Sequence, residues 1–275
     1  MNKRLFFCIF ILLVSYNGLI AQDFEPGGIW SSVSTNKRLT DRFSVGTEFE
    51  LRSSGFSLER ERLGMQISGE YRLTNDFRLG AGYTFLNVQD EYRFTNDSMR
   101  VHYQNRQRLY LQMSYRIRFG RFNLALRERA QWTFKDETNR IRIYPGDPPV
   151  IGINTHRINP DLVWRNRAKL SYNIRGVPIT PSISFESFYL LNEPEDLRIY
   201  NRDFSDFRTI STFFSKLRYS LAFEYRINRR NSVELFGMFQ QERGAEEKVV
   251  PGPNYYVLSK WTNDFVFGIA YDITL

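Results

Sequence analysis

Glu61-Arg62-Leu63-Gly64-Met65-Gln66-Ile67-Ser68-Gly69-Glu70-Tyr71-Arg72-Leu73 runs into Thr74-Asn75-Asp76, then Phe77-Arg78-Leu79-Gly80-Ala81-Gly82-Tyr83-Thr84-Phe85. Leu63, Met65, Ile67, Tyr71 and Leu73 share one parity; Arg62, Gln66, Ser68, Glu70 and Arg72 share the other. Phe77, Leu79, Ala81, Tyr83 and Phe85 repeat the pattern against Arg78, Gly80, Gly82 and Thr84. A period of two is a β-strand, because successive side chains leave opposite faces of the pleat. Thr74-Asn75-Asp76 is turn chemistry between the two runs. The stretch is a long hairpin with one apolar and one polar face.

Working outward, the same unit recurs to the end of the chain. Short connections fall near residues 40, 75, 119, 176 and 229, and most of those between them are long: residues 87–100, 135–160, 191–207 and 241–256. Outer-membrane barrels have this asymmetry, with short periplasmic turns and longer extracellular loops. Tyr71, Tyr115, Tyr172 and Tyr225 each stand on an apolar face shortly before a short turn. They read as a membrane-interface belt, rings in the interface and hydroxyls toward water. Trp30 is read as another interface residue. About eleven strands can be counted. Bacterial single-chain barrels usually have an even number, so either a short strand is hidden near residues 23–29 or in a loop, or the mature N-terminus passes through the lumen; twelve strands are expected, with ten the alternative.

The 275 residues suit one large all-β domain. Lys3 and Arg4 precede an apolar run over residues 5–14, and Leu19-Ile20-Ala21 is a cleavage site. Residues 1–21 therefore read as a signal peptide and residues 22–275 as the barrel. Cys8, the only cysteine, falls in the signal, so the mature chain is expected to have no thiol chemistry. Composition agrees with export to a membrane. The chain is polar on average, yet 24 Phe, 16 Tyr and 4 Trp make it 16% aromatic. A transmembrane β-barrel needs only alternate residues to be apolar, and its aromatics form girdles. The formal net charge of +8 is spread through strands rather than clustered, which argues against nucleic acid. A soluble secreted β-domain is the other reading of the strands.

The polar faces carry the most informative residues. Arg60, Arg62, Arg106, Arg108, Arg165, Arg167 and Arg218, with Lys216, begin descending strands, and Arg127 and Arg129 lie on an ascending one. In a membrane barrel that face is the lumen. At about 3.3 Å per residue and a tilt near 40°, most fall in the outer half of the membrane. Glu48, Glu50, Glu70, Glu186 and Glu224 point into the same space. Two readings follow. Arginine forks suit carboxylates and phosphates, so the lumen is a basic constriction or binding surface for an anion. Otherwise arginine and glutamate pair across a narrow lumen and fill it, which a small barrel favours. Glu128 is the exception: parity puts it on the lipid face, either above the apolar band or beside a bulge that changes the facing.

Enzymatic chemistry finds little footing. A barrel hydrolase of the phospholipase or lipid A deacylase class needs a serine activated by a histidine. The two histidines, His102 and His156, have no readable motif around them. They form no metal-ligand cluster, and Glu193, Glu195 and Asp196 read as a solvated acidic loop. No glycine-rich phosphate loop is present, and no cofactor is expected.

With these residues laid out, the chain resembles a family of uncharacterised outer-membrane barrels of Bacteroidetes, domain of unknown function 2490. The features that carry the resemblance are Trp30-Ser31-Ser32-Val33, the hairpin from Tyr71 to Tyr83, Asn105-Arg106-Gln107-Arg108 and Leu217-Arg218-Tyr219. The resemblance implies an outer-membrane barrel and no catalytic residues. The expectation is thus a single antiparallel up-and-down transmembrane β-barrel in the outer membrane of a Gram-negative bacterium. It would be structural, or a small pore or binding barrel for a polar or anionic solute. Its expected partners are outer-membrane lipid, lipopolysaccharide and the barrel-assembly machinery, with the barrel itself a monomer.

Overall fold

The alternation closes into a wall of eleven strands. The computed structural model describes residues 24–25, 27–55, 59–93, 99–135, 140–144, 150–154, 161–192, 198–200, 207–209, 212–248, 255–258 and 260–275. The expected signal segment lies outside the described residues. The staves are β1 (Ile29–Arg38), β2 (Phe43–Ser54), β3 (Glu59–Arg72), β4 (Phe77–Arg93), β5 (Met99–Phe119) and β6 (Phe122–Lys135). They continue with β7 (Asp161–Tyr172), β8 (Ile179–Leu190), β9 (Phe213–Arg226), β10 (Asn231–Glu242) and β11 (Thr262–Thr274). Each pairs antiparallel with its neighbour in sequence, and β11 closes on β1 in parallel.

That parallel seam corrects the expected count of twelve. A short strand does lie in the expected region, but it is not a separate stave. Phe24–Glu25 pairs with Asn263 and Asp264 of β11, in line with β1. The first and last staves therefore run the same way, and an odd number closes through one parallel pair. Parallel pairing is slightly weaker per residue, but closure leaves no open edge. Following direct partners once round the wall leads from Arg38 through Glu70, Gln112, Arg165 and Lys216 to Thr262, next to the partner of Phe24. The offset from residue 38 to residue 24 is a stagger of about fourteen residues. It tilts the strands by about 40° and sets a backbone radius of about 11 Å.

Three of the short turns use one device. Thr40 Oγ1 accepts from the Arg42 and Phe43 N–H at 3.3 and 2.9 Å, and Thr74 Oγ1 accepts from Asp76 and Phe77 at 3.3 and 3.0 Å. Asn228 Oδ1 does the same for Arg230 and Asn231 at 2.8 and 2.9 Å. These side chains imitate a backbone turn and fix the register of the hairpins. At the other end, three connections expected to be irregular contain hairpins. Arg140–Tyr144 pairs with Val150–Asn154, Arg198–Tyr200 with Phe207–Thr209, and Ala245–Lys248 with Tyr255–Leu258. The polar loop expected over residues 87–100 is mostly strand, since β4 runs to Arg93 and β5 starts at Met99.

The wall is inside out. Ile67, Leu111, Ile183, Leu235 and Phe267 are exposed, while Arg52, Thr84, Arg129, Gln131, Glu186, Arg218 and Gln240 are buried. Among the described residues no helix is long and apolar enough to cross a membrane. The four tyrosines expected to form a belt sit at the short-turn end: Tyr71, Tyr115 and Tyr225 are exposed, and Tyr172 is half-buried against Phe122, ring centres 4.8 Å apart. Inward aromatics lie over glycines of the adjacent strand. Tyr110 covers Gly82 and Phe236 covers Gly268. A Cβ on Gly82 would meet the Tyr110 ring at 2.4 Å. The ring also carries the Arg129 guanidinium, 3.9 Å from its centre. Gly82→Ala is expected to cost about 1–3 kcal/mol by overpacking, read as a lower midpoint in urea unfolding of the refolded barrel.

Candidate functional site

Alternation alone carries the basic side chains inward. On β6, Leu126, Glu128 and Ala130 face out, so Arg127 and Arg129 face in; on β7, Arg165, Arg167 and Lys169 alternate with Trp164, Asn166 and Ala168. The ladders then bring residues far apart in sequence onto one level. Arg127, Arg167, Glu186, Arg218 and Gln240 are successive direct partners across β6 to β10.

Glu186 is the centre of this level. Arg165 Nη2 donates to both its oxygens at 2.8 Å, and Arg127 Nη2 donates to Oε1 at 3.2 Å. Arg167 Nε stands 3.4 Å from Oε1 and Arg218 Nη1 3.8 Å from Oε2. One carboxylate thus neutralises part of four guanidiniums. Glu50 anchors a second group: Arg52 grips it as a fork at 2.9 and 2.8 Å, and Arg62 approaches at 3.3 Å. Trp30 joins the two groups, with Arg52 3.4 Å and Arg218 4.9 Å from its ring centre. Cations over an indole face are favoured by its quadrupole. Phe188 takes Arg165 and Arg218 in the same way, at 4.9 and 4.7 Å.

Around this core, Arg218 Nε donates to Gln240 at 2.8 Å, Arg108 Nε to Thr133 at 3.0 Å, and Arg129 Nε to Gln112 at 3.1 Å. Lys216 pairs with Glu242 and Lys169 with Glu234, at 2.5 and 2.7 Å. Glu48 accepts from Gln66 at 3.4 Å. Nearer the short turns, Glu70 accepts from Gln112 at 3.0 Å and pairs with Arg78 at 3.5 Å. Glu224 faces Glu234 across the β9–β10 ladder.

Two features exceed what a self-neutralising filler needs. First, arginines oppose arginines directly: Arg52 against Arg62, Arg127 against Arg167 and Arg129 against Arg165. Like charges directly opposite destabilise a sheet. Second, the buried Nε–H groups of Arg62, Arg106, Arg127 and Arg165 make no hydrogen bond within the described protein. Buried donors ordinarily have partners. Such an arrangement can hold a carboxylate or phosphate by charge-assisted forks.

Of the residues singled out from sequence, Arg60 is not part of this cluster. The register shift between Arg52 and Ser53 aligns Arg60 with Ser53. Its guanidinium stacks 3.9 Å over Tyr103, which alternates with the buried Gln104. Trp30, expected at an interface, lies inside the cation cluster instead. Glu128 keeps the outward facing that parity gave it, and no bulge interrupts its ladders. His102 pairs through its backbone with Asp90; His156, Glu193, Glu195 and Asp196 lie outside the described residues. Among the described residues no His, Cys, Asp and Glu group could hold a metal ion. Phe188, Gln112 and Gln240 were not singled out from sequence. Their signal was parity: each shares a face with an arginine.

A comparison with protein families matches residues 27–250 to the family described as protein of unknown function (DUF2490). No curated protein matches the chain.

Proposed function

This chain belongs to DUF2490, and from that premise we propose that it is an outer-membrane β-barrel that binds and passes small anions through an arginine-lined lumen. The inside-out wall supports the membrane. Large apolar side chains cover the outside, tyrosines ring the short-turn end, and strands such as the 12-residue β7 exceed the roughly 9–11 tilted residues needed to span. Outer-membrane lipid and lipopolysaccharide would surround it, after insertion by the barrel-assembly machinery.

The observation that carries the anion is the excess of cations in the lumen. Arg52, Arg62, Arg108, Arg127, Arg129, Arg165, Arg167, Lys216 and Arg218 outnumber Glu48, Glu50, Asp161, Glu186, Glu242 and Asp264 on the same part of the inner face. A net positive surface in a narrow low-dielectric space attracts and concentrates anions. A backbone radius of about 11 Å is between barrels filled by side chains and open porins, which suits solutes of carboxylate or phosphate size.

The test is anion entry into vesicles. Mature protein, shown to be folded by heat-modifiable gel mobility, is placed in vesicles loaded with a halide-quenched dye, with potassium clamped by valinomycin. Quenching faster than in protein-free vesicles is expected, slowed several-fold by Arg127→Gln with Arg165→Gln. Folded barrel without added quenching would contradict passage.

A further inference from the structure

Glu128 is the outlier of the outer face. It is exposed, and Met113, Glu128 and Asn166 are direct partners on unbroken ladders. It lies six residues beyond Phe122 on β6, and Asn166 six residues from Tyr172 on β7. At a tilt near 40° that is about 15 Å above the tyrosine belt, the middle of an apolar band about 25 Å tall. No other ionisable side chain among the described residues faces out at that height. Glu128 makes no hydrogen bond or ion pair within the described protein. An ionisable side chain at such depth is costly in lipid and normally marks a function.

Its surroundings are polar as well. Trp164 Nε1 donates to Asn166 Oδ1 at 2.9 Å, and Asn166 Nδ2 reaches Ser187 Oγ at 3.4 Å. The remaining proton of the Asn166 amide is free to leave the wall. The patch thus holds an acceptor and a donor on adjacent strands.

We infer that this face docks a second copy of the chain, the Glu128 carboxyl of each protomer accepting from the partner's Asn166. The inference rests on the membrane reading above and replaces the monomer suggested by sequence. Two copies sharing one membrane orientation are related by a two-fold axis along the membrane normal. An axis between β6 and β7 exchanges left and right, which sets Glu128 of one copy against the partner's Asn166. Strand tilt leaves the two at heights differing by about 3 Å, a gap that a glutamate side chain spans. A patch that is its own complement is the requirement of an isologous interface. A partner of other chemistry would need only a donor for Glu128 and would leave the remaining Asn166 amide proton without an acceptor. The flanking Ala130 and Ala168 let two walls approach, and hydrogen bonds between spanning segments hold them together.

The test is cross-linking of single-cysteine mature chains in outer-membrane preparations, with a short bismaleimide. Ala130→Cys is expected to give a dimer, and Ala81→Cys, on the outer face of β4, none. Adding Glu128→Leu to Ala130→Cys should abolish the dimer while heat-modifiable mobility is kept. No dimer from Ala130→Cys, an undiminished dimer with Glu128→Leu, or an adduct of another mass would each overturn the docking. Fractionation of the same samples separates the two levels. Protein in the outer membrane without a dimer refutes the docking alone; protein in the soluble fraction refutes the membrane reading and the docking with it.

Discussion

Glu186→Gln lowers the unfolding free energy of the barrel by about 3 kcal/mol, the low end for breaking a buried ion pair. Glu186 is buried, with 9% of its side chain exposed, but Arg127 and Arg167 keep 23% and 29% of theirs, so water softens the loss. The substitution leaves Arg127, Arg165, Arg167 and Arg218 without their shared carboxylate, and Arg127 directly opposite Arg167. The loss should shrink as phosphate is added, because the variant's guanidiniums, freed of the carboxylate that holds them in the parent, bind the anion more tightly and the variant gains more stability by mass action. Urea unfolding in lipid vesicles, followed by tryptophan fluorescence, measures both effects. Unchanged stability, or a loss that phosphate leaves untouched, would count against the cluster as an anion site.

Gly27→Ala prevents normal closure of the barrel, with an expected cost above about 3 kcal/mol, at the severe end of overpacking. A Cβ there would sit 1.2 Å from the Phe265 carbonyl oxygen and 2.3 Å from its carbon. Backbone cannot swing aside as a side chain can. Either Phe24–Glu25 leaves β11 or the parallel seam opens. Gly244→Ala is the control, since nothing lies within 4 Å of its Cβ, and it is expected to stay within about 0.5 kcal/mol. Heat-modifiable mobility and protease resistance distinguish the two. Equal behaviour would mean the seam tolerates what its geometry forbids.

The staves were legible because one parity is apolar and the other polar over most of their length. The hairpin through Thr74-Asn75-Asp76 shows both the strands and the turn device that recurs at Thr40 and Asn228. The facing of β10 was not legible, and the structure gives the reason. Phe236 and Met238 face inward, Phe236 lying over Gly268 and Met238 buried, while Leu235 faces out. Both parities of that strand are apolar, so the alternation carries no contrast. The strand number failed for a different reason: a parallel seam between the first and last staves leaves no local mark. Arg60 was lost to a bulge, which inserts one residue and voids parity beyond it.

The candidate site was half legible. That Arg127, Arg129, Arg165, Arg167 and Arg218 point inward follows from their own strands. That four of them converge on Glu186 depends on register between strands far apart in sequence. Trp30 had a signal that its residue type obscured: it shares a parity with Ser32 and Ser34, opposite Val33.

The most direct measurement is the reversal potential of the folded barrel, residues 22–275, in a planar bilayer under a potassium chloride gradient. Discrete conductance steps with chloride preference, weakened by Arg127→Gln with Arg165→Gln, are predicted. Cation preference, or no steps from protein shown to be folded and inserted, would contradict an anion-passing lumen.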